Sequence, residues 1–250
     1  MTRPRRTLAI DIGNTRLKIG LFYGEDIKET ADFPSDEDVP DMIEGFLDMV
    51  KQPGRCIISS VVPGLTDVVS DVVRERTRIE VVRARTFVRN LIKLQVEQPD
   101  QVGTDRIINC LAALHYHGPP AIVISLGTAT TFEILAQDGA YIGGCIIPGI
   151  GVSKDALAQR AALLPPYHWR RTDRLIGKTT LEHLEIGLYK GTKALVEGMI
   201  KQYREEIGDN AITIGTGGFS WELADDGVFD VHEPHLSLRG LLVAMNAFKK

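Results

Sequence analysis

One stretch of this chain occurs twice. Residues 8–21 read LAIDIGNTRLKIGL and residues 122–135 read IVISLGTATTFEIL. Sliding the first copy by 114 positions puts Gly13 on Gly127, Leu8 on Ile122, Ile10 on Ile124 and Ile12 on Leu126. Apolar residues at every second position before a glycine turn mark a half-buried strand entering a hairpin. A chain that restarts this way is either a duplicated α/β fold or one mixed α/β domain. The same hairpin-first order follows each copy, which favours duplication. One position breaks the match: Asp11 in the first copy is Ser125 in the second.

Strand-like and helical patterns take turns along both halves. Leu8–Ile12 and Leu17–Tyr23 form the first hairpin. Val39, Met42, Ile43, Phe46, Leu47 and Val50 recur at helical spacing. Arg55–Val62 reads as a buried strand, followed by a helix to about Arg76 and a strand at Ile79–Val82. A helix runs from near Gly103 to Tyr116, and the turn residues His117-Gly118-Pro119-Pro120 close it. The expected division is therefore residues 1–118 and 119–250. In the second half, strands are predicted at Ala121–Leu126, Thr130–Leu135, Tyr141–Ile147 and Ala211–Ile214. Helices are predicted at Gly151–Leu164 and from the capping box Thr179-Thr180-Leu181-Glu182 to about Glu206. Ser237 is expected to cap a last helix whose apolar face is Leu238, Leu241, Leu242 and Met245.

Composition excludes several classes. The 250 residues are 44% apolar and 25% charged, enough for a sizeable core. A net charge of −4 is not the basic footprint of a nucleic-acid binder. Asp11 interrupts the apolar stretch after the basic MTRPRRT start too soon for a signal-peptide core. No apolar run approaches the roughly 18 residues of a membrane span. Cys56, Cys110 and Cys145 lack C-x-x-C spacing and read as buried, reduced thiols of a cytoplasmic protein.

The first hairpin carries the chemistry. Asp11-Ile12-Gly13-Asn14-Thr15 sets a carboxylate beside a tight turn, and a glycine turn lets backbone N–H groups approach an anion. Thr15 adds a hydroxyl, and Arg16 and Lys18 add positive charge. A carboxylate of this kind suits Mg²⁺ held together with substrate phosphates. An ordinary surface turn with a capping Asp satisfies the same residues, and the hairpin alone leaves both readings open.

The ordered motif set narrows the choice. DIGNT at 11–15, SSVVPG at 59–64, GTDR at 103–106, GTATTFE at 127–133, GGCIIPG at 143–149, ALAQRAALLP at 156–165, IGKTT at 176–180, TGG at 216–218 and LSLRGL at 236–241 follow in sequence. In this order and spacing the chain resembles the type III pantothenate kinases, members of the actin, sugar-kinase and heat-shock ATPase superfamily. The resemblance implies duplicated actin-like (ribonuclease H-like) α/β domains with mixed central sheets and a cleft between them. It also implies transfer of the ATP γ-phosphoryl group to pantothenate, the first committed step toward coenzyme A. Asp11, Gly13, Asn14, Thr15, Arg16 and Lys18 would then hold the Mg·ATP phosphates and Thr128 the nucleotide. Gly103, Thr104, Arg106 and Thr180 would contact pantothenate. Asp105 would act as base, from a pocket closed to water, and the protein would be a homodimer.

Two positions depart from the family. The acid that ligates a monovalent cation, K⁺ or NH₄⁺, is here Ser125, which carries no formal charge, so the site is weakened or lost. Glu133 stands where the family has Asp and offers a compensating ligand. Val96 replaces a tyrosine that reaches toward the substrate. These changes keep two other readings in view. One is a nucleotide- or pantothenate-binding regulatory paralogue with little turnover. The other is a superfamily kinase or phosphatase acting on another small substrate.

The remaining features read as structural. His115-x-His117 does not share a helix face, so a solvated helix end is expected rather than a metal pair. His168-Trp169-Arg170-Arg171-x-x-Arg174 is expected to be an exposed basic loop, with an anion-steering lip as the alternative. Cys145 reads as a small core residue, and Arg3, Arg5 and Arg6 as a solvated tail. Gly217-Gly218 is either a plain turn or a nucleotide contact. For Asp105-Arg106 alone, a helix-end acid and a solvated arginine would suffice; the motif set favours the site.

Overall fold

The computed structural model describes residues 5–35, 38–161 and 163–248, so Arg3 lies outside the described residues. The chain divides into two compact units, residues 1–116 with 235–250 and residues 117–234. The first contains β1 (Arg6–Ile12), β2 (Arg16–Tyr23), β3 (Asp26–Pro34), α1 (Val39–Met49), β4 (Arg55–Ser60), α2 (Pro63–Thr77), β5 (Val81–Arg83) and α3 (Thr104–Tyr116). The second contains β6 (Ala121–Leu126), β7 (Ala129–Leu135), β8 (Tyr141–Pro148), α4 (Ile150–Arg160), α5 (Thr180–Ile207), β9 (Ile212–Thr216), α6 (Trp221–Asp225) and β10 (Val231–His232). The last helix, α7 (Leu236–Ala247), belongs to the first unit, where it packs on α3, β1 and β4.

The two sheets have one topology. The first runs β3-β2-β1-β4-β5 and the second β8-β7-β6-β9-β10. In each, the leading hairpin and its third strand are antiparallel, and the two later strands add parallel to the first. The duplication inferred from residues 8–21 and 122–135 thus extends to strand order and direction. Each sheet buries one face against helices. In the first unit Leu8, Ile10, Ile12, Leu17 and Ile19 form a core with Val39, Ile43 and Phe46 of α1 and Val69 and Val73 of α2. In the second, Ile122, Ile124, Leu126, Phe132 and Ile134 meet Tyr189, Val196 and Ile200 of α5. Fully burying one such aliphatic side chain contributes about 1.5–3 kcal/mol.

Local signals explain most boundaries. Pro63 opens α2 at a position where its missing N–H costs nothing, so β4 stops at Ser60 rather than Val62. The capping box of α5 forms: Thr179 Oγ accepts from the Glu182 N–H at 3.2 Å, and the Glu182 carboxylate accepts from the Lys178 N–H at 2.7 Å. Helix α4 ends at Arg160, short of the expected Leu164, and Pro165 disfavours the helical region for Leu164; Ala162 lies outside the described residues.

Three elements escaped the sequence pattern. β3 was unmarked because it is an exposed edge strand whose residues are mostly polar. α6 and β10 are too short to show a period. Arg6 is not tail but the first residue of β1. Ser237 is not a cap: α7 begins at Leu236, and Ser237 lies buried in its first turn. No helix among the described residues is long and apolar enough to cross a membrane.

Candidate active site

In the first unit the parallel and antiparallel pairings of β1 meet at Asp11. The register sets it opposite Lys18 on β2 and opposite Ser59 on β4. From the other side Ser237, on the first turn of α7, hydrogen-bonds the same carboxyl. Burial pushes the Asp11 carboxyl above the ordinary aspartate range. The Ser237 hydrogen bond opposes this, the charge of Asp105 adds to it, and Lys18 and Ser59 pull it back. Asp11, Asp105, Lys18, Ser59 and Ser237 therefore form one electrostatic centre. Two acids sharing such a centre raise the cost of their own charge, and a cation or a hydrogen-bonding ligand lowers it.

The turn beside Asp11 is clamped. The Gly13 N–H donates to Arg16 O at 2.9 Å, the Ser35 N–H donates to Thr15 O at 3.0 Å, and Ser35 Oγ donates to Gly13 O at 2.9 Å. Asn14 and Thr15 sit exposed at its tip. Arg16 is drawn away from that tip. Its Nε donates to Asp32 Oδ1 at 2.6 Å and its Nη2 to Asp32 O at 3.2 Å, tying β2 to the edge strand β3. Of the two cations expected at the phosphates, the structure brings Lys18 to Asp11 and leaves Arg16 on Asp32.

Helix α3 starts with the GTDR segment. A Cβ on Gly103 would stand 2.4 Å from Asp105 Oδ1, so only glycine lets the carboxylate fold back over the helix start. Thr104 is buried, Arg106 half-buried and Asp105 exposed. The enclosure expected of Asp105 is thus not found; Asp11 is the more enclosed of the two, half-buried with a desolvated carboxyl. Asp105 sits on the first turn of its helix, where the chain end stays open, while Asp11 sits in a sheet beside α7.

The second unit holds the companion turn without the acid. Ser125 lies opposite Thr131 on β7 and opposite Thr216 on β9, so three hydroxyl residues stand where the first unit has Lys18, Asp11 and Ser59. Glu133 is buried two residues along β7, on the same face as Thr131 by strand alternation. This row of hydroxyls carries no formal charge, and Glu133 adds an acid on the same face.

Glycine turns crowd the carboxyl ends of β6 and β9. The Gly127 N–H donates to Ala129 O at 3.1 Å, and the Gly149 N–H to Thr128 O at 3.1 Å. Gly217 has φ +98°, and a Cβ there would approach Leu126 O to 2.4 Å. The Phe219 N–H then donates to that same Leu126 O at 3.1 Å. The Gly217-Gly218 turn is therefore seated against the end of β6, one residue from the Gly127-Thr128 turn. Thr180 is exposed at the start of α5; the cap is made by Thr179, so capping does not occupy the Thr180 hydroxyl.

Other candidates resolve as structure. Arg170 pairs with Glu185 at 3.3 Å, Arg171 with Asp226 at 2.7 Å, and Arg174 with Glu182. Trp169 packs on Tyr189 with ring centroids 5.2 Å apart. The basic stretch 168–174 is the exposed loop expected, with His168, Arg170, Arg171 and Arg174 open to solvent and its arginines paired to acids on α5 and just after α6. Among the described residues no three His, Cys, Asp or Glu side chains gather as a metal site, His115 and His117 included. The three cysteines are free, and burial pushes the Cys56 thiol up to about 12. Cys145 is half-buried on β8, where its thiol meets Tyr203. Reading residue by residue missed Ser59 and Ser237: both lie inside quoted motifs, but nothing in a linear sequence says that they converge on Asp11.

Comparison with known proteins agrees with this architecture. The sequence model of the family described as type III pantothenate kinase matches residues 7–202. A type III pantothenate kinase of Frankia alni is 36% identical over 240 residues, covering 94% of this chain and 96% of the relative. Among solved structures, a Baf family protein of Campylobacter jejuni superposes with TM-score 0.63 at 19% identity, over 96% of this chain and 98% of that one. The activator of 2-hydroxyisocaproyl-CoA dehydratase from Clostridium difficile, solved with bound ADPNP, gives 0.52 at 11% identity, over 98% of both chains. The fold is the duplicated α/β architecture of the actin-like ATPases. With a family match across most of its length and a relative at this identity, the chain belongs to the type III pantothenate kinase family.

Proposed function

We propose that this chain transfers the γ-phosphoryl group of Mg·ATP to the terminal hydroxyl of pantothenate. The observation that carries the reading is the Asp11 centre, a half-buried, desolvated acid beside Lys18, Ser59, Ser237 and Asp105 in a member of this family. In the first unit, Asp11, Gly13, Asn14, Thr15 and Lys18 hold the nucleotide phosphates. Arg16 joins them only by giving up Asp32. Gly103, Thr104 and Arg106 hold pantothenate, Arg106 as a fork for its carboxylate. In the second unit, Thr128 contacts the nucleotide and Thr180 the pantothenate.

Hard carboxylate and hydroxyl oxygens around a costly negative charge fit Mg²⁺, which is held by one or two acids, water and phosphates. Asp11 would hold it, and when bound it supplies neutralisation of the phosphate charge. Asp105 accepts the proton of the pantothenate hydroxyl as that oxygen attacks the γ-phosphorus, and ADP leaves. Exposure of Asp105 keeps it accessible to that hydroxyl.

A monovalent cation is expected in this family, and Ser125 with its neighbouring hydroxyls disfavours one here. Ser125 and Val96 together also favour a second reading, a protein that binds the same ligands with little turnover. A homodimer is proposed as well. Ile142 and Ile146 on β8, Val152 and Leu157 on α4, and Leu181 and Leu195 on α5 are exposed apolar residues of the second unit, which a second copy would cover.

Three expectations follow from these assignments. Asp105→Asn should lower kcat by roughly 10²–10⁴-fold with little change in Mg·ADP affinity. Asp11→Asn should abolish Mg·nucleotide binding yet raise the thermal midpoint of the free protein at neutral pH. A raised folded pKa gives stability that is lost as pH climbs from the ordinary 3.8 through the folded value, so the Asn variant's advantage should shrink on acidification. Equal midpoints across pH 3–8 contradict the burial cost assigned to Asp11.

ADP release with and without pantothenate, in potassium, ammonium, sodium and cation-free buffer, tests the cation. The wild type should turn over alike in all four, and Ser125→Asp should acquire potassium stimulation. A strict potassium requirement in the wild type points to Glu133 or backbone oxygens as ligands, and absence of turnover in every buffer favours the binding protein. Sedimentation at micromolar concentration should show a dimer; a single-chain species contradicts the second copy on β8, α4 and α5.

A further inference from the structure

Trp221 is the one tryptophan left mostly open: 54% of its surface is exposed, although it follows the Gly217-Gly218 turn by three residues. It is nonetheless held in place. Its ring meets His232 edge-on, with centroids 4.5 Å apart and an interplanar angle of 82°. His232 Nε2 lies 2.8 Å from Ser220 Oγ, and Ser220 Oγ donates to Gly217 O at 2.6 Å. A serine hydroxyl has one proton, so the shared hydrogen on the histidine side is the Nε2–H. The indole is thus linked through His232 and Ser220 to the glycine turn itself. We propose that Trp221, seated on His232, is a stacking platform for the purine base of the nucleotide.

The location fits that role. Ligands of open α/β sheets sit outside the carboxyl ends of the parallel strands. In the second unit these are β6, β9 and β10, with Thr128 following β6, the glycine turn following β9 and His232 ending β10. Neighbouring strands lie about 4.8 Å apart, so the end of β10 stands about 10 Å from the end of β6. That is comparable to the separation of phosphates and base in an extended nucleotide. A nucleotide in contact with Thr128 whose base runs along the strand ends past the glycine turn reaches Trp221. The apolar residues assigned to a second copy lie on β8, α4 and α5 and do not include Trp221. An aromatic face accepts any base by stacking, so the platform adds affinity for the nucleoside end without reading the phosphates.

The inference rests on the nucleotide reading of the second unit, and calorimetry separates the two. Wild type, Trp221→Ala and Trp221→Phe are titrated with Mg·ADP and with Mg·tripolyphosphate, which has no base. Trp221→Ala should weaken Mg·ADP binding about tenfold, leave tripolyphosphate affinity and the melting midpoint unchanged, and be largely rescued by Phe. Equal Mg·ADP affinity in wild type and Ala variant overturns the platform, as does equal loss for both ligands. A wild type that binds neither ligand overturns the nucleotide reading and the platform with it.

Discussion

The desolvation of one carboxyl, that of Asp11, is the constraint around which the first unit is organised. Isolating a carboxylate from water is costly unless hydrogen bonds or opposite charge answer it. Here the answers come from three separate elements: Lys18 on the paired strand β2, Ser59 on the parallel strand β4 and Ser237 on α7. The last of these is more than two hundred residues away in sequence. Returning α7 to the first sheet is thus part of building the site. The compensation is incomplete, since the carboxyl remains pushed toward protonation and Asp105 pushes it further.

The second unit shows what the same framework does without the charge. Its strand order, strand directions and hairpin position repeat those of the first, yet Thr131, Ser125 and Thr216 replace Lys18, Asp11 and Ser59 across the sheet. Hydroxyls cost less to bury than a carboxylate and carry no formal charge. Instead this unit concentrates backbone turns at its strand ends, with Gly217 against Leu126 and Gly149 against Thr128. One copy of the duplicated fold has kept a charged centre, and the other has become a cradle of backbone groups.

Much of this was legible in the residues, for identifiable reasons. The paired hairpins announced themselves through alternation before a glycine, and the α5 start through Thr179 and Glu182, because those signals are local. The edge strand β3 gave no such signal, since a polar exposed strand has no buried face to create alternation. Ser237 looked like a cap because serine before an apolar helical run usually is one, and only the packing of α7 shows that its hydroxyl faces Asp11. Burial at Asp105 was expected from its motif, but exposure depends on what lies over a helix end, which spacing does not record. The pairing of Arg16 with Asp32 was not legible, because β3 gave no signal of its own.

The most direct measurement is the identity of the product. Phosphorus NMR on the protein with Mg·ATP and pantothenate should show a phosphomonoester on the terminal hydroxyl of pantothenate growing in step with ADP. ADP accompanied only by inorganic phosphate, or no ADP while both ligands bind, would contradict phosphoryl transfer to pantothenate as the work of this site.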